Sequence, residues 1–63
     1  MNFLEHYFST NMTIEQIKEI LQNKINDLYA RRNLAYMSGD LKEYASLENE
    51  IAETQISLDK VNS

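Results

Sequence analysis

The residues with chemistry to offer are few. Carboxylates at Glu43, Glu48, Glu50 and Glu53 fall close together in the C-terminal half. On a helix Glu50 and Glu53 would share a face, and Glu43 would stand two turns before Glu50. Helical bundles use such carboxylates to hold divalent ions, but with a Glu-x-x-His pattern drawn from several helices. No histidine follows these four, so a solvated acidic face is the simpler reading. The single histidine, His6, lies beside Glu5. Adjacent helical residues do not face each other, and His6 reads as a solvated residue of the N-terminal segment. Arg31-Arg32 is the one basic doublet, with Tyr29 and Tyr36 near it. Arginine and tyrosine are favoured interface anchors, so this group would hold an acidic or phosphate-bearing part of a partner. The competing reading is a pair of surface cations in the C-terminal half of a helix, where they suit its dipole. No cysteine nucleophile, glycine-rich phosphate loop or HExxH metal motif is present. No catalytic, cofactor-binding or metal-binding residue is assigned.

Composition narrows the partners. The net charge is −4, with ten acids interspersed among six bases. An acidic surface repels phosphate backbones and anionic lipid, which disfavours nucleic acid and membrane. No apolar run approaches the ~20 residues of a membrane span. The start, Met1 to Thr10, lacks the basic and long apolar regions of an export signal. Cysteine is absent, which fits a reducing, cytoplasmic setting. The sequon Asn11-Met12-Thr13 then reads as chance.

The elements that carry these residues are helical. Proline is absent and glycine occurs once. Three segments follow. Residues 1–12 form an aromatic arm or short helix: Phe3 and Tyr7, and Leu4 and Phe8, are each four apart and would stack. The spacing predicts a helix over about 13–37. Thr13 with Gln16 has capping-box spacing, and Met12 with Ile17 fits a hydrophobic staple. Ile14, Ile17, Leu21, Ile25, Leu28 and Ala35 form its stripe, with Ile20 at the flank. Lys24 and Arg31 fall at the d-like positions of a strict heptad. A second helix is predicted over about 40–61, with Asp40 and Glu43 as a second capping box. There Tyr44, Leu47, Ile51, Thr54, Leu58 and Val61 make a regular a/d series, which Leu41, Ala45 and Ala52 would widen. Between the helices, Ser38-Gly39-Asp40 places the only glycine where a helix ends and a cap residue where the next begins. A connection this short makes the helices antiparallel neighbours.

The predicted fold is thus an all-α antiparallel hairpin. Two stripes rarely stabilise a chain this short, and disulfides are excluded. The apolar groups left outside the seam include Ile20, Tyr29, Tyr36 and Met37, besides the arm. They predict a second interface. A homodimer completing a four-helix bundle, or docking on another protein, would supply it. Residues 13–37 carry four bases and three acids, whereas 40–61 carry two bases and six acids, so the helices attract weakly.

One stretch resembles a known signature. Ser46-Leu47-Glu48-Asn49-Glu50 is similar to the Ser-Gln-Glu-Leu-Asp motif early in the second helix of the Spo0E-like aspartyl-phosphate phosphatases. These are small hairpins of Gram-positive bacteria. Ser46 and Glu48 match; Leu47 stands for Gln, Asn49 for Leu and Glu50 for Asp. The resemblance implies a hairpin acting on a response regulator, and the departures fall on residues that carry the family's activity. Gly39-Asp40 followed by Leu41-Lys42-Glu43-Tyr44 also resembles the IDEAL domain, a short helical module in regulators of such bacteria. The usage of Asn, Ile, Lys and Tyr points to an AT-rich bacterial or phage genome. Three functions are therefore expected in order: a non-enzymatic protein-binding or regulatory module, candidate interface Phe3, Leu4, Tyr7, Phe8, Ile20, Tyr29, Arg31, Arg32 and Tyr36; a phosphatase of the resembled type; and a structural component of a phage or larger assembly.

Overall fold

A computed structural model describes residues 12–62. Two helices, α1 (Ile14–Ser38) and α2 (Leu41–Asn62), pack side by side as an antiparallel hairpin. Each begins one residue later than the spacing predicts, because Thr13 and Asp40 act as caps. The arm residues Phe3, Leu4, Tyr7 and Phe8, with His6, lie outside the described residues.

Local chemistry sets both helix ends. The Thr13 hydroxyl accepts from the Gln16 N–H at 3.1 Å, and the Gln16 side-chain oxygen accepts from the Thr13 N–H at 2.8 Å. This is the predicted capping box, satisfying two otherwise orphaned donors. At the turn, Gly39 takes the left-handed conformation with φ 77°. Its N–H donates to the Tyr36 carbonyl at 3.2 Å, and the Asp40 N–H donates to the Ala35 carbonyl at 2.9 Å. That pair of bonds is a Schellman closure of α1. Asp40 then caps α2, its Oδ1 accepting from the Glu43 N–H at 3.0 Å. The predicted second capping box is therefore only half made. Its reciprocal bond needs the Asp40 N–H, which the Schellman closure has already taken.

The core is a single seam. Ile25, Leu28 and Ala35 of α1 meet Leu47, Ile51, Thr54 and Leu58 of α2, all buried. Tyr44 packs half-buried against them. The hydroxyl of Thr54, the one buried polar side chain among the described residues, donates to the Glu50 carbonyl at 2.8 Å. That bond within the helix removes the cost of desolvating it.

The α1 stripe steps by four from Leu21 to Ile25, as the spacing predicts, so Ile25 and Arg32 turn inward while Lys24 and Arg31 lie exposed. A straight helix of 3.6 residues per turn drifts off a strict heptad, and this step absorbs the drift. On α2, Leu41, Ala45 and Ala52 do not widen the buried face. All three are exposed, Leu41 by 75 %. A hairpin with one partner helix covers only the narrow a/d strip.

Candidate functional site

The best-formed polar arrangement joins both helices on one flank. Tyr29, Arg32 and Tyr36 recur at three- and four-residue steps of α1, so they share a side. Across the seam stand Tyr44 and Glu48 of α2. Arg32 Nη1 donates to Glu48 Oε1 at 2.8 Å. The guanidinium lies 4.9 Å from the Tyr29 ring centre and 5.8 Å from that of Tyr44. Tyr44 and Tyr36 stack in tilted fashion, centroids 6.0 Å apart. One planar cation is thus held between two rings and a carboxylate, a geometry lysine cannot reproduce. The hydrogen bond to Glu48 raises the Arg32 pKa above its already high usual value, against the opposing effect of desolvation. The arginine stays charged at every physiological pH.

The predicted interface residues divide between sides of the hairpin. Tyr29 and Tyr36 remain 40 % and 71 % exposed beside half-buried Arg32. Arg31 does not join them. It turns to the other flank and pairs along its own helix with Asp27 at 3.6 Å. Successive residues on a helix project about 100° apart, which separates the doublet. Ile20 is also on that other flank and is half exposed. Tyr44 and Glu48 were absent from the sequence-based set. The signal for them was the turn: reflecting the chain through Asp40 carries Arg32 onto Glu48 and Tyr36 onto Tyr44.

The carboxylates do not converge. Glu43, Glu50 and Glu53 are exposed, and Glu48 is engaged with Arg32. Among the described residues, no group of three or more His, Asp or Glu lies close enough to hold a metal ion. Within the phosphatase-like stretch, Ser46 and Glu50 lie one turn apart, whereas Glu48 points to the opposite flank. The grooves along the seam are shallow. One is lined by Leu21, Lys24, Glu50, Glu53, Thr54 and Ser57, and another by Arg31, Leu34, Ala35, Ser38, Asp40 and Glu43.

Compared with models of known families, with curated proteins and with solved structures, the chain gives no match. Neither resemblance drawn from residues 39–50 is carried by a family match. Among the described residues, no helix is long and apolar enough to cross a membrane.

The arginine cluster makes one direct prediction. Arg32→Lys keeps the charge but loses the planar contact with the two rings. The near-ultraviolet circular dichroism of the tyrosines falls, while the far-ultraviolet helical signal is unchanged. An unaltered tyrosine signal would show that the rings are not held by Arg32.

Proposed function

We propose that this chain is a non-enzymatic protein-binding module, which acts by helix–helix contact with another copy or another protein and so regulates it. The observation that carries the reading is the surplus of ordered apolar surface. Ile14, Ile20, Leu34, Tyr36, Met37, Leu41 and Ile56 are each more than half exposed on a two-helix scaffold. Monomeric proteins rarely leave so much large apolar side chain in water without a partner. The Tyr29–Arg32–Tyr36 flank is the preferred docking surface. Its rings are braced by Arg32 and Tyr44, so little side-chain freedom is lost on binding.

A photoreactive residue at Tyr36, compared with one at Asn23 on the outer side of α1, tests this in native extract. A discrete adduct is expected from position 36 alone. Excess unlabelled chain competes it away, and a Tyr29→Ser/Tyr36→Ser double variant does not. Equal competition by the double variant would remove the flank from the proposal. No adduct from any exposed position would remove the module itself.

A further inference from the structure

Helix α2 carries a second apolar line on the side turned away from α1. It runs Leu41, Ala45, Asn49, Ala52, Ile56, in steps of three and four, and all five are exposed. None belongs to the buried seam. The line is symmetric about the midpoint between Glu48 and Asn49. Leu41 and Ile56 stand equally far from that point, as do Ala45 and Ala52. An antiparallel copy laid along it would match Leu41 with Ile56 and Ala45 with Ala52, twice over. The alanines admit a close approach of backbones. Asn49 falls at the centre, where its amide, both donor and acceptor, can bond its own copy.

The charges choose the same orientation. Lys42 and Glu53 lie on one edge of the line, near its two ends, and both are exposed. In the antiparallel arrangement each Lys42 faces the Glu53 of the other copy, an offset of about two residues or 3 Å. In a parallel arrangement that edge would face the opposite edge of the copy, and Lys42 would not meet Glu53. The other edge brings two Glu48 side chains towards the centre, but each already gives its charge to Arg32 at 2.8 Å. Edge charges of this kind set partner and orientation, and one polar residue in an apolar seam sets register.

From this we infer that α2 pairs antiparallel with α2 of a second copy, through Leu41, Ala45, Asn49, Ala52 and Ile56. The inference rests on the protein-binding reading and names one partner for it. The assembly is a flat row of four helices, α1–α2–α2–α1, which leaves the Tyr29–Tyr36 flank open to a different protein. The seam spans about 22 Å at 1.5 Å per residue, so the dimer is a weak one.

Sedimentation equilibrium on the full chain tests it. Lys42→Glu or Glu53→Lys alone should weaken self-association by roughly tenfold. The double exchange Lys42→Glu/Glu53→Lys should recover it. The two positions are eleven residues apart on one helix, so the exchange cannot act within a monomer. In this cysteine-free chain, Asn49→Cys should form a symmetric disulfide readily, and Asn23→Cys should not. Helicity measured in parallel shows that each variant folds. A chain that stays monomeric at every concentration overturns the inference, as does a dimer indifferent to both single charge changes or one not recovered by the exchange. Each of these leaves the protein-binding reading to its own crosslinking test.

Discussion

Leu47→Ala should leave the hairpin largely unfolded at room temperature. Among the described residues, Leu28 and Leu47 are the two large side chains with essentially no exposure, each 1 %. They belong to one buried cluster, with Ala35 and Ile51. Removing a buried leucine side chain costs about 2–5 kcal/mol, the larger values where the site cannot collapse. A chain of this size holds roughly 3–9 kcal/mol in all, on the general scale per residue. Among the described residues the core has no second layer from which to draw compensation. The check is helical circular dichroism through a urea titration, with Leu34→Ala as control. Leu34 is 66 % exposed, and its loss should shift stability by less than about 0.5 kcal/mol. Equal losses in the two variants would mean that the helices do not meet along the seam described.

Gly39→Ala should both destabilise the hairpin and change its connectivity. The φ of 77° lies where a Cβ costs about 1–2 kcal/mol. A Cβ there would meet no atom within 4 Å, so the cost is one of backbone conformation and not of collision. Alanine also favours helix over glycine by up to about 1 kcal/mol. Both effects push α1 to run straight into α2. A straightened chain can no longer cover its own seam and must borrow the seam of another copy. The variant should therefore form an exchanged dimer. Labels at Thr13 and Asn62 of one chain, neighbours at the open end of the hairpin, would then read far apart. Gly39→Asn should lose less and stay folded back, since asparagine tolerates the left-handed region. A Gly39→Ala chain with labels still close and stability unchanged would show that the glycine does not enforce the turn.

Much of this fold was legible in the sequence, for identifiable reasons. The turn combined the only glycine with a capping aspartate, two local signals that no tertiary contact has to supply. The α2 seam was also plain, because Tyr44, Leu47, Ile51, Thr54, Leu58 and Val61 keep an unbroken heptad and all turn inward. The α1 seam was less so. Its step from Leu21 to Ile25 is a change of phase that periodicity alone assigns equally to Lys24. The capping box at Glu43 failed because one N–H cannot serve two acceptors in two motifs. The arginine cluster was half visible. Tyr29, Arg32 and Tyr36 are neighbours along one helix, but Tyr44 and Glu48 join them only through the register of the hairpin. The bond from Arg32 to Glu48 spans sixteen positions of the chain.

The tight closure at Gly39 and Asp40 also dictates an order of events. Only Gly39 separates the last residue of α1 from the cap of α2, so closing the loop costs little chain entropy. The first inward pair, Ala35 with Tyr44, is brought together almost as soon as the turn forms. Each later pair lies one step further along two rods already aligned. Such local contact patterns fold in microseconds to milliseconds. Folding should begin at the turn and zip towards Ile14 and Val61. Opening should begin there and run back, so amide protons at the free end exchange first and those beside the bend, near Ala35 and Tyr44, last. The hairpin is then a graded spring, firm at its bend and loose at its mouth.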